Sequence, residues 1–319
     1  MIRRFAHMNG SLKPAEAPSQ AVWTDLLRPD PAELAEVAAA HAVELPSRAE
    51  MEEIELSSRL YWDNGAAYMT ALLPARADGD NPEMGPVTFV LTGDGLVTIR
   101  YHEPRSFETY PARAQKTAFG CGSGEAVLLG LFEEIIDRLA DILERVGRDI
   151  DSLSHTVFRP AHDPQGKSRD YQRLLEEIGR KGDLVSKLSD SLLSCERIMG
   201  FLGQVTTQRA SHRDIRSAVK THGRDAHSLL QHAAFLSQKT TFLLEATLGM
   251  IGIEQNAIIK IFSVAAVAFL PPTLIASVYG MNFKHMPELG WPFGYPVAIS
   301  LMILSAVLPL LYFRRRGWL

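Results

Sequence analysis

Cysteine is nearly absent from this 319-residue chain: Cys121 and Cys195 are the only two. They lie far apart without metal-ligand spacing, which excludes a disulfide scaffold and fits reduced thiols in a cytoplasmic domain. No Walker sequence, Gly-rich dinucleotide fingerprint or Ser/His/Asp arrangement occurs, so the chain reads as no enzyme, and no cofactor or nucleic-acid partner is expected. Gly120-Cys121-Gly122-Ser123-Gly124 is Gly-rich, but no Lys follows it, and it reads as a linker. The stretch Met1 to Glu16 has basic residues and no apolar core segment, so it is not expected to be a cleaved signal peptide.

Charge is scarce at one end. Of 37 acidic residues only Glu288 lies beyond position 256, and of 33 basic residues only Lys260, Lys284, Arg314, Arg315 and Arg316 do. Residues 1–256 carry 28 cations against 36 anions, net −8; residues 257–319 carry 5 against 1, net +4. The first part reads as a soluble acidic domain and the second as membrane. No charge falls in the 23 positions between Lys260 and Lys284, or in the 25 between Glu288 and Arg314. A span needs about 20 predominantly apolar residues, so both segments qualify. Lys260 precedes the first span and three arginines follow the second, which assigns both termini to the cytoplasm. Trp291, Tyr295, Tyr312 and Trp318 fall near the interfaces, where amphipathic rings belong.

Residues 1–120 mix short strand-like and helical patterns. Strands are expected at 21–27, 53–59, 66–73, 87–91 and 97–101, with a hairpin turn at Thr92-Gly93-Asp94-Gly95. A short helix is expected from Pro31 to Ala42, with Pro near its start and Glu in its first turn. Asp78-Gly79-Asp80-Asn81-Pro82 reads as a loop. From Gly124 the pattern is helical. Leu128, Leu131, Ile135, Leu139, Ile142, Val146, Ile150, Leu153 and Val157 recur at spacings of three and four, the stripe of a long amphipathic helix. Arg159 to Pro164 breaks it. A second helix is expected over about 169–202, and a third from near His212 with no clear breaker before the first span. Continued through Gly280, the third is on the order of 100 Å long at 1.5 Å per residue. Single glycines at 223, 249 and 252 do not end it. His212, His222, His227 and His232 invite a metal reading. At about 100° per residue, however, neighbours among the last three point about 140° apart and cannot converge within one helix.

Read in sevens, the first span carries its small and polar residues in two registers. One is Asn256, Ser263, Leu270, Ser277; the other is Ile259, Ala266, Thr273, Gly280. These are the two seam positions of a coiled coil. In a membrane, small residues permit close helix approach and polar ones face the bundle interior or water. A packing seam without a pore and a pore lining both satisfy this pattern. One copy of the helix cannot enclose a channel, so a pore requires several chains. Pro271 and Pro272 leave carbonyls of the preceding turn without donors, a cost tolerable where they face water. Asn282 closes the segment. A ring of carboxamides offers neutral dipoles that hold a hydrated Mg²⁺ through its waters, weakly enough to release it. Ile259 and Phe262 suit an apolar constriction that closes by dewetting.

The stretch Tyr279-Gly280-Met281-Asn282-Phe283, the loop Met286-Pro287-Glu288-Leu289, Gly294-Tyr295-Pro296 and the basic-Trp-Leu ending resemble the CorA family of magnesium channels. Ile253-Glu254-Gln255-Asn256, Lys260-Ile261-Phe262-Ser263 and Phe269-Leu270-Pro271-Pro272-Thr273 look like its proteobacterial branch. The resemblance is strong over about 240–319 and holds in outline before that. It implies a homopentamer in the bacterial inner membrane, with a cytoplasmic α/β domain, stalk helices and a central pore from the first spans. It implies Mg²⁺ influx with Co²⁺ and Ni²⁺ admitted, and closure when cytoplasmic Mg²⁺ binds acidic residues between subunits. The sequence does not single these out; Asp225 lies in the stalk without a surrounding motif. By position, Gly280, Met281 and Asn282 form the selectivity motif. Asn256, Ile259, Phe262, Leu270 and Thr273 line the pore, and Ser263, Ala266 and Ser277 join them through the seam pattern. Many relatives have an acidic residue after Phe283. Here Lys284 and His285 stand there, and Glu288 is left to offset them in the outer loop.

The organisation expected is an α/β domain at 1–120, long helices and stalk at 121–256, a pore-lining helix at 257–283 and an outer loop at 284–294. A second membrane helix at 295–313 and a basic tail at 314–319 complete it. The alternative function is that of a ZntB-like transporter, which shares Gly-Met-Asn and moves Zn²⁺ with proton coupling; the intact Met286 to Leu289 loop favours the magnesium channel.

Overall fold

Asn9 and Gly10, both with positive φ (52° and 79°), turn the chain between strands β1 (Ile2–Met8) and β2 (Ser11–Pro14). An Asn-Gly pair is the favoured two-residue hairpin turn, because both central positions need φ above zero. This hairpin was not expected from the polar, basic start of the chain. β3 (Trp23–Leu27) pairs antiparallel with β1 and parallel with a later strand. Between them the chain leaves the sheet through α1 (Pro31–His41), α2 (Arg48–Glu52) and α3 (Leu56–Arg59). It re-enters at the far edge as β4 (Leu60–Asp63), then runs back through β5 (Ala66–Ala75), β6 (Glu83–Leu91) and β7 (Leu96–Arg100). The sheet order is β2-β1-β3-β7-β6-β5-β4. All residues are described except 80–81, 118–119, 159–169, 283–285 and 319, and the side chains at 56, 288 and 289. We refer to this computed structural model as the structure.

The strand expected at 53–59 is a correction. Its alternation of acidic and apolar residues imitates a strand, yet local capping decides otherwise. Ser47 and Glu50 form a reciprocal capping box that starts α2, and Arg59 Nε donates to the Glu53 carbonyl at 2.6 Å to close the following turn. Ile54 stays 88% exposed, so no buried face rewards an extended chain there. The strand next to β5 is β4, which begins at Leu60 directly after that segment.

Two layers of helix cover the sheet. Leu26, Tyr68, Val90, Val97 and Ile99 point to one side and bury Val37 of α1 and Met51 of α2. Trp23, Met69, Phe89, Leu91 and Leu96 point to the other, against α4 (Ser106–Arg113) and α5 (Gly124–Val157). Trp23 stacks on Phe5 at 4.8 Å and meets Tyr110 edge-on at 5.8 Å, while Phe89 and Phe132 lie 4.9 Å apart. The entire predicted stripe of α5, from Leu128 to Val157, is buried.

The expected linker at 120–124 is a packing joint. Cys121 is fully buried, and Ser123 caps α5 by accepting from the Ala126 N–H at 3.2 Å. A Cβ on Gly124 would lie 2.5 Å from the Gly95 carbonyl carbon, so the glycine lets α5 start against the β6–β7 hairpin. The predicted turn at Thr92 to Gly95 is present, closed by Thr92 N–H to the Gly95 carbonyl at 2.9 Å.

α6 (Tyr171–Gln208) lies against β5 and α5. At its end Arg209 donates to the carbonyls of Gly65, Leu91 and Thr92. The break expected at 159–164 lies outside the described residues. α7 (Arg213–Tyr279) is one helix of 67 residues, and α8 (Gly294–Arg315) follows it. The chain forms two compact units, residues 1–244 and 245–319, and α7 contributes to each. Within the first, α7 buries Ile215, Val219, His222, Ala226, Ala233, Leu236, Thr240 and Leu243, a heptad-like stripe.

Candidate ion pathway

The second unit holds the two apolar helices predicted as spans: the final third of α7 and the whole of α8, both long and apolar enough to cross a bilayer. Few of their side chains are covered. Val264 is buried on α7, and Ala265, Ala268, Pro271, Pro272, Ile275 and Tyr279 are partly covered; on α8 Gly294 and Ala298 are buried. Val264, Ala268, Pro271, Ile275 and Tyr279 recur at four and three and centre the covered face. Lys260 Nζ sits 5.8 Å from the Trp318 ring centroid, and Trp318 stacks on Phe313 at 5.1 Å. Gly317, at φ 71°, turns the tail back so that the Trp318 N–H reaches the Phe313 carbonyl at 3.1 Å. The start of the first apolar segment therefore lies beside the end of the second.

Asn256, Ile259, Phe262, Ala266, Leu270, Thr273 and Ser277 are exposed, and Ser263 is half-buried. At about 100° per residue their mean direction is about 150° from the covered face. The small-polar stripe is therefore the side of α7 that a single chain leaves without a partner. α7 runs through Pro271 and Pro272. Near them Thr273 Oγ1 donates to the Phe269 carbonyl at 2.7 Å, a bond from side chain to backbone one turn back.

The helix ends at Tyr279. Gly280 N–H still reaches the Ala276 carbonyl at 2.9 Å and Met281 N–H the Val278 carbonyl at 3.3 Å, but Asn282 is beyond the last turn. Had the helix continued, Asn282 would point toward the Val264 face. Termination frees it from that register. A Cβ on Gly280 would lie 3.1 Å from the Ala276 carbonyl oxygen, so the glycine keeps this last turn unencumbered. Met281 and Asn282 are exposed. Phe283, Lys284 and His285 lie outside the described residues, as does the side chain of Glu288, which falls in the 3-10 turn Pro287–Gly290.

The four stalk histidines do not converge. His227 Nδ1 meets Glu196 Oε1 at 2.8 Å, His212 meets Asp214 at 3.2 Å, and His232 lies against Phe235. His222 is buried, and burial pushes its pKa down against the opposing pull of Asp225 and Asp137. Among the described residues no group of three or more His, Cys, Asp or Glu side chains could hold a metal ion. The sequence reading missed a run of acids on α5. Burial raises the carboxyls of Glu133 and Asp137, and neighbouring carboxylates add to the rise.

An α/β unit joined by a long helix to two apolar C-terminal helices, with a polar stripe on the unpartnered side, is the architecture of a two-span membrane protein. The family described as CorA-like Mg²⁺ transporter protein matches residues 18–315. A magnesium transport protein CorA of Salmonella typhimurium is 39% identical over 300 residues, 94% of this chain and 92% of the relative. One from Yersinia pseudotuberculosis is 37% identical over 302 residues, 94% and 93% of the two chains. The complete structure of the CorA magnesium transporter from Methanocaldococcus jannaschii superimposes with a TM-score of 0.77 at 18% identity, covering 100% of this chain and 99% of that one. The chain belongs to the CorA family.

Proposed function

We propose that this chain is a Mg²⁺ channel mediating influx across the bacterial inner membrane, admitting Co²⁺ and Ni²⁺ as well, with both termini cytoplasmic. The observation that carries the reading is the face of α7 left bare. Asn256, Ala266, Thr273 and Ser277 are too polar or too small to make a good lipid-facing surface, and they lie opposite the covered face. Several copies, a homopentamer by family likeness, bring these faces together around an axis. Lys260 beside the arginine tail gives the hairpin one strongly basic end, which supports the cytoplasmic assignment.

Gly280, Met281 and Asn282 then form the outer ring. Five carboxamides just past the helix ends hold the hydrated cation through its waters, without the tight grip of carboxylates. Ile259 and Phe262 form the apolar constriction toward the cytoplasm. Cytoplasmic Mg²⁺ bound by acidic residues between subunits closes the pore. The ZntB-like alternative has less support, since curated relatives at 37–39% identity are magnesium transport proteins.

Flux of Mg²⁺, Co²⁺ and Zn²⁺ into liposomes, measured side by side, tests the reading. Mg²⁺ uptake down its gradient, indifferent to a pH gradient, is expected; Zn²⁺ uptake that needs a proton gradient, without Mg²⁺ flux, favours the alternative. Asn282→Ala is expected to abolish selective uptake while assembly is retained. Unchanged selectivity removes Asn282 from the ring.

A further inference from the structure

Lys260, at the entry to the first apolar segment, and the tail after α8 meet at one end of the hairpin. Five side chains run there in one line of contacts. Lys260 Nζ lies 5.8 Å from the Trp318 ring centroid, and Trp318 stacks on Phe313 at 5.1 Å. Phe313 meets Tyr312 edge-on at 5.8 Å, and the Arg316 guanidinium lies 5.6 Å from the Tyr312 ring. Three rings thus stand between two cations. The line depends on the reversal at Gly317. With an extended tail, Trp318 would lie beyond Arg316 in water. The left-handed turn at φ 71° returns it to Phe313, and its own N–H closes the turn on the Phe313 carbonyl.

The charge at this end is unbalanced. Lys260, Arg314, Arg315 and Arg316 are exposed, and among the described residues none of them pairs with a carboxylate. The negative end of the α8 dipole offsets about half a charge. On α7 the nearest acid, Glu254, is six residues before Lys260, about 9 Å lower along the helix. Glu245 is further still, and Glu288 follows the first span at its other end. Cations that only set the orientation of a span need no particular geometry. Here the fold joins one cation from each helix to a belt of rings, and such rings settle at headgroup depth. The Trp318 indole N–H meets no acceptor among the described residues.

We propose that this end of the hairpin binds the headgroup of an anionic glycerophospholipid, its phosphate held by the Lys260 ammonium and the Trp318 indole N–H. The glycerol and upper acyl chain lie against Phe313 and Tyr312. A basic site between membrane helices at headgroup depth retains lipids of this class. An ammonium above a ring keeps donors free for phosphate, and its bonds to that group are charge-assisted. Arg316, at the other end of the belt, adds to the attraction, as do Arg314 and Arg315. A zwitterionic lipid carries the same phosphate together with its own ammonium, which these cations repel, so the site selects the anionic class. Free phosphate has nothing to lay against the rings. The site requires only that the two helices lie in a bilayer and does not rest on which ion the protein carries.

The test is quenching of Trp318 fluorescence by lipid bromine. In the full chain, Trp291→Phe leaves Trp318 as the one tryptophan of the second unit, since Trp23 and Trp62 lie in the first. This chain is reconstituted in phosphatidylcholine bilayers holding a minor fraction of brominated lipid, either phosphatidylglycerol or phosphatidylcholine, with the bromines near the headgroup end of the acyl chains. Excess quenching by the brominated phosphatidylglycerol, saturating with its fraction, is expected. Lys260→Gln and Arg316→Gln should each weaken the excess about fivefold, the effect of one basic residue near a charged surface, and Lys260→Arg should keep most of it. Unchanged quenching by brominated phosphatidylcholine reports that Trp318 keeps its depth in a variant. Where Lys260→Gln shifts that baseline, Lys260→Arg and Arg316→Gln carry the comparison. Equal quenching by the two lipids, or an excess that the charge-removing variants leave whole, overturns the proposal and makes the tail an orientation signal alone. The assay reads no ion flux, so its outcome is separate from that of the channel reading.

Discussion

Arg100→Met is expected to destabilise the sheet unit by about 3–5 kcal/mol, the usual result of removing one partner of a buried ion pair. Arg100 and Asp25 are 1% and 0% exposed. Asp25 accepts from Arg100 Nε at 3.0 Å, from Arg100 Nη2 at 2.8 Å and from Thr98 Oγ1 at 2.9 Å. Thr98 in turn accepts from Trp23 Nε1 at 3.0 Å, and Arg100 Nη1 reaches the His102 carbonyl at 3.0 Å. Met replaces the aliphatic stem but strands the Asp25 carboxylate with Thr98 alone. The double replacement Asp25→Leu/Arg100→Met removes the stranded charge. It should recover about 2 kcal/mol or more, because an apolar pair between Trp23 and Phe107 has no desolvation debt. Hydrogen exchange of the β3 and β7 amides reads this unit alone. At tenfold per 1.4 kcal/mol, the single variant should exchange at least about 100-fold faster, and the double variant should fall between it and wild type. If the double variant exchanges as fast as the single one, lost packing outweighs the stranded charge and the reasoning fails.

Gly124→Ala should cost about 1–3 kcal/mol, since its Cβ meets Gly95 backbone that cannot swing aside, and a wild-type denaturation midpoint contradicts that close approach. Burial holds the pKa of His102 below the ordinary 6.5. The stability tied to its neutral form is therefore complete above about pH 6.5 and is lost as pH falls from there toward the folded value. Melting temperature measured against pH should show that fall, and His102→Gln should flatten it; an unchanged slope assigns it to other groups. His222, depressed in the same way, contributes in the same direction. Ile259→Ser should raise Mg²⁺ leak under high interior Mg²⁺, since a polar ring no longer dewets; unaltered leak in liposomes removes Ile259 from the constriction.

How much was legible depended on the range of the interactions. The α5 stripe, the continuity of α7 past three glycines and both apolar helices were readable because periodicity and composition are local properties. The strand order was not. β3 pairs in parallel with β7, about 70 residues later, and nothing near Trp23 announces that partner. The false strand at 53–59 failed for the same reason, since alternation yields a strand only where an edge awaits it. The Asn9-Gly10 hairpin, by contrast, was signalled in the sequence and passed over because its strands are polar.

The candidate pathway divides in the same way. The heptad registers of the first span were set by sequence alone, as was Gly-Met-Asn at its end, because helix geometry converts spacing directly into direction. Only the tertiary structure could decide which side of that helix is covered. Coverage depends on α8 folding back beside it, with Lys260 against Trp318. It also ended α7 at Tyr279, releasing Asn282 from the covered face. The line from Lys260 through Trp318, Phe313 and Tyr312 to Arg316 was beyond the sequence altogether. Its first residue belongs to α7 and the others to the end of α8 and its tail, and only packing brings them together.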